Sequence, residues 1–235
     1  MTQDAHGGGR RISFGDLDIT YDDRVIEPRP WTILQSAWAI ELSQRSPEGP
    51  VLELCCGAGH IGLVVAARTG RALVQVDANP AACELARRNA AAAGLADQVD
   101  VREGRLLDAV GADESFAIVI ADPPYLPTTA IDDFPDDPAL AIDGGDDGLA
   151  VVRDCLAVIE RVLVTGGAAL LQVRGRTQAD EVGALLPPHR AVLEIREDGP
   201  ERAVILLREV DPATGRKAAG GSPPSPAGHD QDPGG

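Results

Sequence analysis

Residues 51–69 read VLELCCGAGHIGLVVAART. Val51–Leu54 is a strand-length run, apolar except for Glu53. A loop with Gly57 and Gly59 follows, and then His60–Thr69 places apolar residues at helical spacing. Gly57, Gly59 and Gly62 match G-x-G-x-x-G, a nucleotide-binding fingerprint. Its physics is general: glycines let the backbone turn sharply and approach a ligand, and a helix N-terminus follows at once. A strand, a glycine loop and a helix in that order open a doubly wound α/β sheet.

Reading outward, the same alternation recurs. Further strands are expected at 72–77, 99–103, 116–121 and 167–173. Between them lie helical patterns at 79–94, which ends on Gly94 as a C-cap, at 148–163 and at 177–186. Two last strand-like runs, 191–197 and 201–209, are joined by the turn signal Asp198-Gly199-Pro200, so the last strand should run antiparallel. Continuous apolar strands alternating with helices argue for a parallel sheet covered on both faces. Ahead of it, 10–29 reads as a short hairpin and 30–45 as a helix with Pro30 in its first turn. The expectation is one domain over 11–210. The tails, 1–10 and 211–235, are Gly-rich or Gly/Pro-rich and are expected to be disordered.

The chain has 235 residues, a formal net charge of −16 and only 3% aromatic residues, so Ala, Val, Leu and Ile must build its core. Between Asp122 and Asp147 stand eight carboxylates and no Lys or Arg. Such a surface repels phosphate backbones, because nucleic-acid binding needs cations that displace counterions. No apolar run is long enough to span a membrane, and the first residues carry no signal-peptide core. The four cysteines show no metal-ligand spacing, so reduced thiols in a cytoplasmic protein and no metal are expected.

Asp77 ends the second core strand, where doubly wound folds set an acid on ribose hydroxyls. Glu53, four residues before Gly57, suits a cation such as an α-amino group better than a pyrophosphate. Together they favour S-adenosylmethionine, which carries an adenosine, an ammonium and a sulfonium but no phosphate. An NAD-linked dehydrogenase also fits the glycine loop, but it gives no reason for what stands at the fourth strand.

There the chain reads FAIVIADPPYLP, 116–127. Asp122 lies at the strand's carboxyl end, and Pro123 and Pro124 have no N–H, so pairing stops. Asp122 and a following carbonyl can point the same way as two fixed acceptors, matching the two donors of a planar NH2 group. Tyr125 can cover that group or sit near a sulfonium. His60 reads as a helix-start surface residue.

The segment VIADPPY resembles the amino-methyltransferase signature, and FPDDPALAIDGGDDGLAVVRDCL (134–156) resembles the HemK-type, release-factor glutamine methyltransferases. The matching residues are Pro138 to Leu140, Gly144, Gly145, Asp147-Gly148-Leu149 and Arg153. Upstream, IEPRPWT is similar to the family's Pro-Arg-Pro-x-x-Thr segment. The resemblance covers about 24–208. It implies the class I methyltransferase fold, a seven-stranded sheet with one antiparallel strand. It also implies cofactor contacts from Thr32, Glu53, Cys55, Gly57, Gly59, Asp77, Ala78 and Asp122, and a clamp of Asp122, Pro123, Pro124 and Tyr125 on the target nitrogen.

The chain departs from the family pattern in several places. Asp122 stands where the family usually has Asn, and Asp is commoner in nucleobase amino-methylating enzymes. Cys55 replaces the first glycine of the cofactor loop. Arg105 stands where an acid often meets the adenine amino group, which leaves Asp108 or a backbone carbonyl for that task. The roughly 50 residues before the glycine loop are too few for the helical N-terminal domain of bacterial release-factor enzymes, so a partner protein could aid recognition. The sequence therefore supports N-methylation of a protein glutamine amide, with a nucleobase amino group, a natural product or an inactive cofactor-binding module as alternatives.

Overall fold

The computed structural model describes residues 9–211. The expected tails at 1–8 and 212–235 lie outside it. Strands β1 (Arg10–Phe14) and β2 (Leu17–Tyr21) form an antiparallel hairpin, and β1 starts one residue ahead of the expected domain boundary. A 3-10 turn (Pro30–Thr32) leads into α1 (Ile33–Ser43). The main domain continues with β3 (Val51–Leu54), α2 (His60–Thr69), β4 (Leu73–Asp77), α3 (Pro80–Ala92), β5 (Val99–Glu103), α4 (Leu106–Ala109) and β6 (Phe116–Ala121). Then come α5 (Ala139–Ile142), α6 (Ala150–Val162), β7 (Leu163–Val173), α7 (Gly175–Leu185), β8 (Arg190–Glu197) and β9 (Ala203–Glu209).

Seven strands make one sheet in the order β5-β4-β3-β6-β7-β9-β8, and only β9 runs antiparallel to its neighbours. Side chains alternate between its faces. Val51, Ile118 and Ile120 pack under α1, α2 and the hairpin, whereas Leu52, Leu54, Phe116 and Val119 pack under α6. The apolar stripe of α6, Val152, Cys155, Val158, Ile159 and Val162, recurs every three or four residues and is fully buried.

Local chemistry sets the helix ends. Asn79 caps α3 by accepting from the Ala81 N–H at 2.9 Å, with Pro80 in the first turn. Gly94, at φ +72, follows its C-cap Ala93. β7 starts four residues before the expected position, and the register shift before Ala168 places Gly166 and Gly167 in a bulge inside the strand. A Cβ on Gly167 would lie 2.9 Å from the Ala117 carbonyl oxygen, so this bulge tolerates no side chain.

Topology places the site. From β3 the chain runs outward to β4 and β5, then crosses back to β6 and β7. The carboxyl ends of β3, β4 and β6 are in register: Leu54 pairs with Val76 on one side and with Ala121 on the other. Cys55, Asp77 and Asp122 therefore come out side by side at the topological switch point.

Candidate active site

A cavity of about 720 Å³ opens at this edge. Of the expected cofactor residues, Thr32, Cys55, Gly57, Asp77, Ala78 and Asp122 line it, as do Pro123, Pro124 and Tyr125. Glu53 and Gly59 do not. Glu53, expected to meet an ammonium, is 1% exposed and accepts from Gln75 Nε2 at 2.5 Å behind the loop. A Cβ on Gly62 would collide with Glu53 Oε2, and one on Gly59 would lie 2.8 Å from Gln75 Nε2. Those two glycines thus make room for a buried polar pair rather than for a ligand. Burial raises the Glu53 carboxyl to about 8.

Gly57 is the glycine that faces the cavity. It sits at φ +53, and a Cβ there would meet nothing within 4 Å. Its N–H donates to Asp77 Oδ2 at 2.8 Å, and the Asn79 N–H donates to Oδ1 at 2.8 Å. Each oxygen keeps a lone pair for a ligand hydroxyl. Cys55 adopts φ +58, the one positive-φ residue other than glycine among those described. Its place in the family is a glycine's, and its backbone conformation is a glycine's too.

Two groups that sequence reasoning misjudged or missed hold the loop and its surroundings. His60 is buried, not a surface residue. Its ring meets Phe14 edge-on at 4.7 Å, and its Nε2 lies 3.2 Å from Thr32 Oγ1. Thr32 Oγ1 donates to the Arg29 carbonyl at 2.8 Å, so its remaining lone pair accepts from His60. Burial lowers His60 to about 3, and the ring is neutral. Asn89 exchanges two 2.9 Å hydrogen bonds with the Thr20 backbone and donates a third to the Ala58 carbonyl, tying the hairpin to the glycine loop. The hydrophobic run around Asn89 marked a helix but gave no sign of this bond set. Arg105 and Leu106 line the cavity, whereas Asp108, one of the substitutes expected to meet the adenine, does not.

The acceptor side is built on β6. The Asp122 N–H reaches the Leu54 carbonyl at 3.4 Å, and the prolines then end the ladder. No group among the described residues hydrogen-bonds the Asp122 carboxyl, and burial alone raises it to about 7. Tyr125 is raised to about 12, first by burial, and stays a phenol. The Tyr125 carbonyl accepts from Gln178 Nε2 at 3.0 Å, a buried residue on α7 that the sequence did not flag. Among the described residues the Pro123 and Pro124 carbonyls receive no such bond, so either is free to act as a second acceptor beside Asp122. Behind the clamp, the Leu126 N–H donates to Ile142 and the Leu126 carbonyl accepts from Gly144, at 3.0 and 2.7 Å. A Cβ on Gly144 would lie 2.7 Å from the Gly148 carbonyl oxygen, and one on Gly148 would lie 2.6 Å from the Tyr125 carbonyl oxygen. The Gly-Gly and Asp-Gly-Leu elements are thus the close-packed backing of the clamp. Asp147 holds Arg153 at 2.6 Å on the outside.

A family model for the methyltransferase small domain matches residues 36–134. A release factor glutamine methyltransferase of Deinococcus radiodurans is 37% identical over 204 residues, covering 84% of this chain and 72% of that protein. The chain belongs to the release factor glutamine methyltransferase family. A ribosomal protein uL3 glutamine methyltransferase of Bradyrhizobium diazoefficiens is 31% identical, over 75% of this chain and 60% of its own length. The crystal structure of a ribosomal protein L11 methylase from Lactobacillus delbrueckii subsp. bulgaricus superposes with a TM-score of 0.59 at 13% identity. It covers 79% of this chain and 81% of that one, and it shares the class I methyltransferase fold.

The chain is therefore an S-adenosylmethionine-dependent methyltransferase. The site fits that cofactor. Its loop has a bare Gly57 in front of open space, the Asp77 carboxylate beside it with a lone pair free on each oxygen, and Cys55, Cys56, Ala78 and Asn79 around them. Asp77 would hold the ribose, Gly57 and Ala78 would line the adenosine, and Thr32 would stand at the amino-acid end. When bound, the cofactor supplies an electrophilic methyl group on a sulfonium. The protein's part would be alignment: Asp122 and a proline carbonyl stand where they could receive the two N–H groups of a planar amine, with Tyr125 beside them to cover it. Drawing on both N–H groups favours a pyramidal, more nucleophilic nitrogen, and Asp122 can take the proton that nitrogen must lose. Among the described residues no helix is long and apolar enough to cross a membrane.

Proposed function

We propose that the acceptor is the side-chain amide nitrogen of a protein glutamine. The observation that carries this reading is the Asp122 carboxyl, which faces the cavity at the end of β6 with no donor from the protein. Asp122 is partly exposed on the cavity wall, so its oxygens are open to an entering group, and a planar NH2 would supply the donors they lack. The relatives at 30–37% identity support the amide, since they bear the names of release factor and ribosomal protein uL3 glutamine methyltransferases. The net charge of −16 supports a protein over a nucleic acid. The work would take place in the cytoplasm, where the four free thiols stay reduced, with or without a partner protein to present the substrate.

A nucleobase amino group is the second reading, favoured by Asp122 in place of Asn. One experiment separates the two. The full chain is incubated with a bacterial extract and methyl-labelled S-adenosylmethionine, and protein and nucleic acid are then hydrolysed separately. Label in methylglutamine supports the proposal. Label in methyladenine or methylguanine overturns it.

A further inference from the structure

The outer mouth of the cavity is framed by Arg29 and Trp31, by the loop carrying Phe134 and Leu140, and by the strand ends carrying Arg174 and Arg202. Phe134 and Leu140 line the cavity yet are 44% and 64% exposed, apolar surface placed beside the acceptor slot. The cations of this mouth are already matched. Arg29 donates to both oxygens of Asp137 at 2.5 and 2.6 Å, and Arg174 holds Glu201 at 2.5 Å. Arg202 lies 3.4 Å from Asp198 and stacks on Trp31 at 4.4 Å. On the loop itself the balance is different. Asp132, Asp133 and Asp136 are exposed around Phe134 and form no ion pair among the described residues. The lip is therefore apolar, with Phe134 and Leu140 lining the same cavity as Asp122, and surplus negative charge stands just outside it on Asp132, Asp133 and Asp136.

We propose that this lip is the docking surface for the substrate protein, and that its occupant is a cationic segment. Lys or Arg side chains flanking the acceptor glutamine would face Asp132, Asp133 and Asp136, and an apolar side chain would rest on Phe134 and Leu140. The proposal rests on the protein-glutamine reading and adds the charge of the substrate. Two observations select this occupant: the charge beside the lip is complementary to it, and the lip lines the same cavity as the acceptor slot. A nucleic acid is disfavoured here because its phosphates would meet the unpaired carboxylates of Asp132, Asp133 and Asp136, while Arg29, Arg174 and Arg202 at the mouth are already paired.

The test uses peptides with one Gln in a Gly/Ser background, flanked by Lys, by Ser or by Glu. Binding to the full chain is followed by fluorescence anisotropy, and methyl transfer by label. The Lys peptide is expected to show a KM about tenfold below that of the Glu peptide, since each exposed pair contributes modestly and several act together. High salt should erase most of that gap. Combining Asp132→Asn, Asp133→Asn and Asp136→Asn should shrink it to under about twofold, with cofactor affinity reporting that the fold is intact. Leu140→Ser should raise KM for all peptides. Equal KM values, or no peptide bound up to millimolar concentration, would overturn the docking proposal. Equal KM values with label in glutamine would leave the acceptor reading standing, whereas label confined to nucleobases would remove both.

Discussion

The two halves of the cavity treat their carboxylates in opposite ways. On the cofactor side both oxygens of Asp77 are fixed, by the Gly57 and Asn79 N–H groups; Glu53, behind the wall, is held by Gln75 through Oε2 alone. On the acceptor side Asp122 receives no donor from the protein, and its shift has burial as its one cause. An acid bound on both oxygens is part of the scaffold and keeps only spare lone pairs for a ligand. An acid that lines the cavity and has no donor among the described residues is open to whatever enters. The difference separates binding from turnover, and substitutions on the two sides should fail in different ways.

The largest effect is expected on the acceptor side. Asp122→Ala should keep cofactor affinity and lose about 10²–10³-fold in kcat, the scale of removing one preorganised transition-state hydrogen bond. Steady-state kinetics with a parallel cofactor titration checks both. A variant that turns over at the wild-type rate would break the contrast. Asp77→Ala should do the reverse. It weakens S-adenosylmethionine by at least about tenfold, from the loss of a charged acceptor worth about 1.5–3 kcal/mol, measured by calorimetry.

Glu53→Gln sharpens the cofactor side further. The sequence suggested an ammonium ligand, but the structure makes Glu53 a buried support, so cofactor affinity should change little. Its signature is in stability. The unfolded carboxyl titrates near 4.5 and the folded one near 8, so the wild type loses stability as pH rises through that window. Gln carries no such proton. The variant's Tm advantage should therefore grow from pH 5 to pH 8, at about 2–4 °C for each kcal/mol. A constant difference across that range would contradict the assignment.

Much of the fold was legible because strand and helix patterns here are local. Val51–Leu54, His60–Thr69, Val99–Glu103 and Phe116–Ala121 occupy the residues that apolar periodicity marks. The misreading at β7 came from glycines that serve a bulge and look like a turn in sequence. At the site, residues on the chain's own motifs were visible: Asp77, Asp122 and Tyr125 stand at strand ends or directly after them. Their supports were not. Asn89, Gln178 and Gln75 act through contacts across 16 to 69 positions, which no local pattern encodes. Glu53 and His60 were misjudged for the same reason. Both lie beside the glycine loop in sequence, but Glu53 packs against Gly62 behind the wall, and His60 is buried against Phe14, where it lines the cavity instead of facing solvent.

The central claim is that Asp122 works as an unpaired carboxylate on the acceptor nitrogen, and a pH–rate comparison with Asp122→Asn tests it directly. Below its own pKa Asp122 is a neutral acid that would offer a proton where the clamp needs an acceptor. Wild-type turnover should therefore rise with pH through a limb no higher than about 7, because a bound sulfonium favours the charged form. Asn presents one neutral acceptor with no proton to lose, so the variant should be slower and should lack that limb. The same limb in both proteins would contradict the account.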